Sequence, residues 1–220
     1  MFENIGEDQR FIDVKDQFSE HACRLLKVPD YVQVAENLVS MANYLPVIEK
    51  LIHLKKPRVI CEVGAYKGVT TLALAELFGN SECQIDIVDP EIDSSVKRIE
   101  MECLHYYSEL SIDYLARDKA LDVVFLDGDH NYETVQQELN SLLTKDNEKG
   151  APLVFLHDVG WPCGYRDLYY QPERIKKRHT VLNQCHLTFN NANEKGQGIP
   201  LNIPVSSEEG GEKNGVMRAV

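Results

Sequence analysis

Long apolar runs and an excess of basic residues are both missing from this sequence. No apolar stretch approaches the roughly 18 residues of a membrane-spanning helix, and the first residues are polar, unlike a secretory signal. The 35 aspartates and glutamates outnumber the 23 lysines and arginines, which gives a net charge of −12. This charge opposes the attraction to phosphate backbones on which non-specific nucleic-acid binding relies. We therefore predict a cytoplasmic protein with a small-molecule substrate and no nucleic-acid or membrane partner.

Two spacings that would indicate other functions are also absent. The six cysteines form no C-x-x-C pair, and Cys61 lies inside a predicted buried strand, so we expect reduced thiols. The glycines do not form the G-x-G-x-x-G turn of NAD-binding and FAD-binding folds. A hydride-transferring oxidoreductase is therefore the last enzyme class that we consider.

Alternating strand-like and helical patterns predict an α/β fold with a doubly wound, mainly parallel sheet. The 220 residues, of which 43% are hydrophobic, suffice for one such domain with an accessory segment. Helical patterns at residues 15–27 and 31–54, the second interrupted by Pro46, predict an N-terminal helical cap over residues 1–56. The main domain then covers residues 57–220. Its predicted strands are residues 58–62, 83–89, 102–107, 121–127 and 152–157, and its predicted helices are residues 68–78, 94–99, 112–117 and 132–144.

The pattern weakens after residue 158. A strand is expected near residues 185–190, and residues 196–213, rich in Gly, Pro, Ser and Asn, read as a mobile loop. Residues 214–220 are strand-like, which predicts an antiparallel end to the chain and leaves open whether the sequence is a fragment. Whether the loop closes over a substrate also stays open.

Residues 58–71 are the most informative segment. An apolar strand pattern ends at Glu62, passes through a turn containing Gly64 and Gly68, and continues into a helical pattern. Glycine allows tight turning and close approach of the backbone to a ligand, and helix-starting amides can hold an anion. In parallel α/β sheets such a turn at a strand's carboxyl end forms a cofactor cleft. The alternative is an ordinary strand, turn and helix.

Two further residues are candidates for contacts with a nucleoside. Asp89 ends the second predicted strand, about 25 residues after the glycine turn, where an acid can accept hydrogen bonds from both hydroxyls of a ribose. Ser111 follows the third predicted strand, where an adenine amine needs acceptors, although capping of a helix explains it equally well.

Titratable side chains follow the next two predicted strands. Asp127 and His130 come directly after one apolar run, and His157 and Asp158 end the next. Because neighbouring parallel strands end at the same edge of a sheet, we expect these side chains to meet near the cofactor turn. Two carboxylates there suit a hard cation such as Mg²⁺, which prefers oxygen ligands.

These motifs resemble those of a known family. Residues 62–68, Glu-Val-Gly-Ala-Tyr-x-Gly, resemble motif I of class I S-adenosylmethionine-dependent methyltransferases, which implies a seven-stranded-type Rossmann-like sheet. The string Asp-Gly-Asp-His-x-Tyr from residue 127, with the later His-Asp pair, is similar to the metal-dependent small-molecule O-methyltransferases of the catechol, caffeoyl-CoA and macrolide-sugar types. The likeness extends to an uncharacterised bacterial subgroup over roughly residues 56–220. From the resemblance and from the positions of Asp89 and Ser111 together, we expect cofactor contacts from Glu62, Gly64, Ala65, Tyr66, Gly68, Asp89, Ser111 and Asp127.

The resemblance also implies a mechanism, O-methylation of a small hydroxylated molecule. Asp127, Asp158 and His157 would hold a divalent metal, Mg²⁺ by expectation, and His130 would be the general base. His157 departs from the oxygen-bearing side chain of relatives and leaves the metal's identity and presence open. Alternatives are a metal-independent N- or O-methyltransferase and a nucleoside-binding regulatory protein without turnover. The oligomeric state is also open, a homodimer included.

Residues 160–170 contain one tryptophan, three tyrosines and Arg166. Such a loop can form the wall of a site for a ring or a sugar, with Arg166 anchoring an anionic or carbonyl group. The alternative is a lid whose aromatic rings pack on the sheet.

Overall fold

The computed structural model describes residues 40–145, 150–187, 192–193 and 199–220. Its central sheet is built from five strands, which are β1 (Val59–Val63), β2 (Gln84–Val88), β3 (Leu104–Tyr107), β4 (Val123–Leu126) and β5 (Leu153–Leu156). They lie parallel in the order β3-β2-β1-β4-β5. The order reverses between β1 and β4, which is the switch point of a doubly wound sheet. The predicted α/β class is confirmed, but the described residues supply five strands to this sheet and not seven.

The α-helices of the described residues are α1 (Leu45–Lys55), α2 (Val69–Phe78), α3 (Ser111–Leu115), α4 (Tyr132–Leu143) and α5 (Val216–Ala219). Short 3-10 helices occur at Met41–Tyr44, Val96–Arg98 and Pro172–Arg174. No helix in this part of the chain combines the length and apolar character needed to cross a bilayer. The five cysteines within it are free thiols, and Cys23 lies outside it.

The described residues form two compact units, and the first contains residues 40–110 together with Leu121–Phe125. Here β1 and β2 pair in register, with Ile60 opposite Ile85. Helix α2 is buried along most of its length because nearly all its residues are apolar or small. Asp122 ties β4 to β1, since its Oδ2 accepts from the amides of Arg58 and Val59 at 2.7 and 3.1 Å.

The second unit contains residues 111–120 and the described residues from 126 onward. Helices α3 and α5 pack against α4. Antiparallel pairs join β6 (Val181–Leu182) to β10 (Val205–Ser206), and place β7 (Cys185–Leu187) between β8 (Ala192–Asn193) and β9 (Ile199–Leu201). The buried core of this unit consists of Val135, Cys163, Leu168, Cys185, Leu187, Val205 and Val216.

Several local predictions are corrected. The strand predicted at residues 214–220 is a helix from Val216, because the run is too short for periodicity to separate the two. The loop predicted at residues 196–213 contains β9 and β10. Only a three-residue 3-10 helix forms within residues 94–99. Pro46 lies in the first turn of α1, where its missing N–H costs nothing, and not in the interior of a longer helix.

Other local predictions cannot be compared with the structure. The helix at residues 15–27 and most of the predicted cap lie outside the described residues, as does the end of the strand at residues 185–190.

Candidate functional site

In the first unit, the end of β1 carries a buried acid. Glu62 is only 1% exposed, and its Oε2 accepts a hydrogen bond from Thr71 Oγ1 of α2 at 2.6 Å. A buried carboxylate is costly unless it is hydrogen-bonded, so this contact fixes both Glu62 and the start of α2. The acid predicted at the methionine end of a cofactor therefore occupies a defined position.

The turn between β1 and α2 has an unusual backbone. Gly64, Tyr66 and Gly68 have φ angles of 86°, 44° and 77°, in the left-handed region. A Cβ on Gly68 would lie 2.7 Å from a methyl carbon of Val96, so both conformation and space require glycine there. A left-handed tyrosine is uncommon, and such residues cluster at ligand sites.

Asp89 joins this turn. It follows β2, and its Oδ2 accepts from the backbone amide of Tyr66 at 3.2 Å while its Oδ1 accepts from that of Glu91 at 2.7 Å. A carboxylate offers about four acceptor positions, so capacity remains for a ribose diol. The first unit thus brings Asp89 to the turn, and its contact with a ribose stays a prediction.

Ser111 belongs to the second unit, at the start of α3. Its side chain hydrogen-bonds with Glu138 of α4, which is 1% exposed. Burial is the main cause that raises the pKa of Glu138 to about 8, with a further contribution from the charge of Asp129. Ser111 therefore contacts a buried carboxyl, and its contact with a cofactor stays a prediction.

The second unit brings four titratable side chains into one cluster, which consists of Asp127, His130, His157 and Asp158. One nitrogen or oxygen of each lies within 4.8 Å of those of the others. His130 Nε2 lies 2.8 Å from Asp158 Oδ2 and 3.5 Å from Asp127 Oδ1. His157 Nδ1 lies 3.0 Å from Asp127 Oδ1 and 3.3 Å from Asp158 Oδ2. The convergence predicted for these strand ends is present.

Strand ends and a helix start position these side chains. The amide of His157 donates to the carbonyl of Leu126 at 3.0 Å, which pairs the ends of β5 and β4. The carbonyl of His130 accepts from the amide of Leu168 at 3.0 Å. Asn131 caps α4, since its Oδ1 accepts from the amide of Thr134 at 2.9 Å. The cluster is therefore held by backbone contacts on both strand ends.

Asp158 has a φ of 51°, again in the left-handed region. Together with Tyr66 and Lys56 it makes up the non-glycine residues of positive φ in the described part of the chain. Such a conformation persists only where the surroundings enforce it, and it often marks a functional site.

The charges of the cluster are strongly coupled. Burial alone would lower the pKa of His130, but Asp127 and Asp158 outweigh it and raise the pKa to about 9. For His157, too, burial would lower the pKa, but Asp127 and Asp158 outweigh it and raise the pKa to about 10. Burial would raise the pKa of Asp158, yet the two imidazoles hold it well below its usual range. Without a cation, two imidazolium ions therefore balance two carboxylates at neutral pH.

Asp129, between the cluster residues Asp127 and His130, is not a member. Its Oδ2 accepts from Thr134 Oγ1 at 3.0 Å and its Oδ1 from the amide of His130 at 3.1 Å. It stabilises the start of α4 instead, and its burial raises its pKa.

The aromatic loop differs from expectation in one residue. Tyr170 is 54% exposed and lies tilted against His130, with ring centroids 5.9 Å apart, which leaves it free to contact a substrate. Arg166 is buried, and its Nη1 donates to the carbonyl of Ser206 at 2.6 Å. The prediction that Arg166 anchors a substrate is wrong, because its guanidinium stabilises the fold.

Sequence reasoning missed Asp167, a buried carboxylate that supports the cluster. Its Oδ1 accepts from the amides of Tyr132 and Gly215, both at 2.7 Å, and its Oδ2 accepts from Tyr169 Oη at 2.9 Å. Tyr132 begins α4 two residues after His130. No sequence spacing points to this role, since Gly215 is 48 residues away.

Comparison with known proteins identifies a domain. Residues 61–159 match the family model described as a methyltransferase domain, and this segment contains both the turn and the cluster. A methyltransferase of Podospora anserina bound to S-adenosylhomocysteine (SAH) is 13% identical, with 67% of this chain and 68% of that chain covered and a TM-score of 0.48. An O-methyltransferase of Bacillus cereus in complex with SAH is 19% identical, with coverage of 61% and 67% and a TM-score of 0.42. Among curated proteins no match is found.

Proposed function

We propose that this chain, whose residues 61–159 match a methyltransferase domain, transfers the methyl group of S-adenosylmethionine to a hydroxyl oxygen of a small molecule, assisted by a divalent metal ion. The observation that supports the proposal most is the convergence of Asp127, His130, His157 and Asp158 at two strand ends. A neutral hydroxyl is a poor nucleophile, and this cluster is the place where it would be activated.

The turn of the first unit would hold the cofactor. Gly64 and Gly68 allow the backbone to approach it closely, Asp89 has acceptor capacity for the ribose, and Glu62 would lie near the methionine end. These side chains are fixed by hydrogen bonds in the protein itself, so little ordering would accompany binding.

The four cluster residues fit a divalent ion, since each offers one ligand atom and the two carboxylates supply opposing charge. The chemistry that such an ion would supply is a lower pKa of an acceptor hydroxyl in contact with it. The protein's own part is to hold the ligand atoms in place, which the backbone contacts of His130 and His157 achieve.

His130 can have either of two roles. As a general base it would accept the proton of the acceptor hydroxyl, which requires a neutral imidazole. The raised pKa of about 9 keeps this ring protonated at neutral pH as long as no bound cation neutralises the two carboxylates. As a metal ligand it would use the same Nε2 that faces Asp127 and Asp158.

The acceptor is a small molecule with a hydroxyl group. The exposed ring of Tyr170 beside His130 suits stacking on an aromatic ring or a sugar. The guanidinium of Arg166 is buried, so an anionic group on the acceptor would have to be recognised elsewhere.

A metal-independent methyltransferase is the second candidate. It is favoured by the charge balance of the cluster, in which two imidazolium ions already compensate Asp127 and Asp158. In that case proximity of the two reactants would provide most of the rate enhancement.

One experiment tests the proposal and separates these candidates. Calorimetry with SAH should show 1:1 binding to the full chain. Formation of SAH from S-adenosylmethionine should then be measured with a panel of catechols, simple phenols and hydroxylated sugars. Loss of turnover after chelation and its return on metal addition support the metal-assisted reaction, whereas turnover that chelation leaves unchanged supports the second candidate. Absence of SAH binding contradicts both.

A further inference from the structure

The cluster of the second unit contains as many imidazoles as carboxylates. Its ligand atoms are Oδ1 of Asp127, Oδ2 of Asp158, Nε2 of His130 and Nδ1 of His157. Mg²⁺ prefers oxygen ligands and usually keeps several waters, whereas imidazole nitrogen suits Zn²⁺ and other first-row transition metals. The composition of the cluster therefore disagrees with the magnesium site that the sequence led us to expect.

The distances within the cluster agree with shared ligation. Ligand atoms bound at about 2.1 Å to a tetrahedral ion are separated by about 3.4 Å, and neighbouring ligands of an octahedral ion by about 3.0 Å. The four nitrogen–oxygen separations range from 2.8 to 3.5 Å. The two remaining separations, between the carboxylate oxygens and between the imidazole nitrogens, are at most 4.8 Å, so one ion can lie among all four atoms once the side chains adjust.

The orientation of His130 provides a second, independent observation. The residue is 7% exposed, and among the described residues its Nε2 has no hydrogen-bond partner, although Asp158 Oδ2 is only 2.8 Å away. The two atoms therefore approach each other without the alignment of a hydrogen bond. Such an arrangement is expected when both atoms face a third point, as two ligands of one metal ion do.

We propose that this cluster binds a divalent transition-metal ion of the Zn²⁺ and Co²⁺ type in preference to Mg²⁺, with Asp127, His130, His157 and Asp158 as ligands. His130 is then a metal ligand and not the general base. The inference deepens the proposed function, on which it rests, by naming the ion for the same site. Two carboxylates and two neutral imidazoles give a site of zero net charge with such an ion, so no further acid is needed to compensate it.

Metal binding to the full chain tests this directly. Calorimetry should show one Zn²⁺ or Co²⁺ per chain, bound at least about 100-fold more tightly than Mg²⁺, in line with the affinity order of nitrogen-containing sites. Bound Co²⁺ should also show visible absorption stronger than that of the hydrated ion, which reports a lower coordination number with protein ligands.

Variants of the two histidines identify the ligands. His130→Gln and His157→Gln should each weaken Co²⁺ binding at least about 10-fold and change the visible spectrum. The exposed His105 of β3 in the first unit offers a matched control, and His105→Gln should change neither. His157→Asp supplies an oxygen in place of the nitrogen, and it should reduce the preference for Co²⁺ over Mg²⁺. Far-ultraviolet circular dichroism of each metal-free variant verifies folding, and His157→Asp keeps the test decisive if a Gln variant fails to fold.

The outcomes separate this inference from the proposed function. Equal affinity for Mg²⁺ and Co²⁺, or unchanged Co²⁺ binding in both Gln variants, overturns the inference even if SAH binds and methyl transfer occurs. Tight, histidine-dependent Co²⁺ binding in a protein that binds no SAH supports the metal assignment and contradicts the proposed function.

Discussion

The turn in the first unit and the cluster in the second unit are organised by different parts of the polypeptide. The turn depends on its backbone, in which Gly64, Tyr66 and Gly68 have left-handed φ angles and Asp89 accepts from a main-chain amide. The cluster depends on side chains, two carboxylates and two imidazoles whose ligand atoms lie within 4.8 Å of one another. The turn therefore offers a shape that lets a ligand come close to the main chain, whereas the cluster offers charged groups and possible metal ligands.

This difference has a consequence for function. A site shaped by backbone tolerates changes of neighbouring side chains but not an added Cβ, whereas a site built from charges tolerates shape changes but not neutralisation. We expect substitutions in the turn to change the affinity for the cofactor, and substitutions in the cluster to change turnover. Single substitutions in each region can show whether the two properties are separable.

The largest effect is expected for Asp127→Asn. The substitution removes a metal ligand and leaves only one carboxylate to balance the charge of His130 and His157. Turnover should therefore fall at least about 1,000-fold, which corresponds to a rise of about 4 kcal/mol in the activation free energy. The affinity for SAH should change less than about 3-fold. Steady-state kinetics and calorimetry measure the two quantities, and Asp118→Asn, at an exposed position of the same unit, is the control. A parallel loss of SAH affinity would show that the two regions are not separable.

Asp167→Ala tests the support of the cluster. The substitution leaves Tyr169 Oη and the amides of Tyr132 and Gly215 without their buried acceptor, which should lower the free energy of unfolding by about 3 kcal/mol or more. Urea unfolding measures it, with Asp118→Ala as control. A loss below about 1 kcal/mol would mean that water replaces the carboxylate and that Asp167 is not needed to hold the start of α4.

The turn was predictable from the sequence because its parts are local. Glu62, Gly64 and Gly68 lie within seven residues, and each residue type has a direct backbone or strand-end role that spacing reveals. The membership of Asp127, His130, His157 and Asp158 followed from one further step, that parallel strands end at the same edge. The sheet class followed from the alternation of helix and strand in the same way.

What sequence reasoning missed depends on tertiary contacts. Asp167 meets Gly215 across 48 positions, and no periodicity encodes that pairing. Arg166 was interpreted as a substrate anchor because its loop is aromatic, but its guanidinium is buried and contacts Ser206 and Glu209, some 40 positions away in the sequence. The equal number of imidazoles and carboxylates was visible in the sequence. Its meaning was not, because only the distances show that His130 faces the same point as the other three residues.

Glu138→Gln should reveal a pH dependence that belongs to the second unit alone. The folded state raises the pKa of this buried acid from 4.5 to about 8, so it binds more protons than the unfolded chain between these values. The resulting stability is fully present below about pH 4.5 and is lost as pH rises through about 8. The variant lacks this loss, because glutamine stays neutral.

The free energy of unfolding of Glu138→Gln relative to the natural chain should therefore rise by roughly 3 kcal/mol between pH 5 and pH 8. The groups that face Glu138 are Ser111 of α3 and the charges of Asp129 and His130, all retained in the variant. Urea unfolding at several pH values measures the difference. Glu173→Gln, at an exposed position, should show no such trend. A flat difference for Glu138→Gln would show that this carboxyl is ionised in the folded state.

The smallest effect, and the sharpest test of the turn, comes from a pair of glycines with matched conformation. Gly68 and Gly150 have φ angles of 77° and 76°, but a Cβ at Gly68 would lie 2.7 Å from Val96, whereas one at Gly150 would meet no atom of the described residues within 4 Å. Backbone strain alone should cost about 1 kcal/mol in Gly150→Ala. Gly68→Ala should cost about 2 kcal/mol, because Val96 is a stiff, buried neighbour.

The same pair reports on cofactor binding. Gly68→Ala should weaken SAH binding about 10-fold, since the displaced turn no longer presents its backbone closely, whereas Gly150→Ala should leave it unchanged. Metal binding at Asp127 and Asp158 should be unaffected in both variants. An equal loss of SAH affinity in Gly150→Ala and Gly68→Ala would contradict this. It would mean that backbone strain at any left-handed glycine weakens SAH binding, and that close approach of the Gly68 backbone to the cofactor is not the cause.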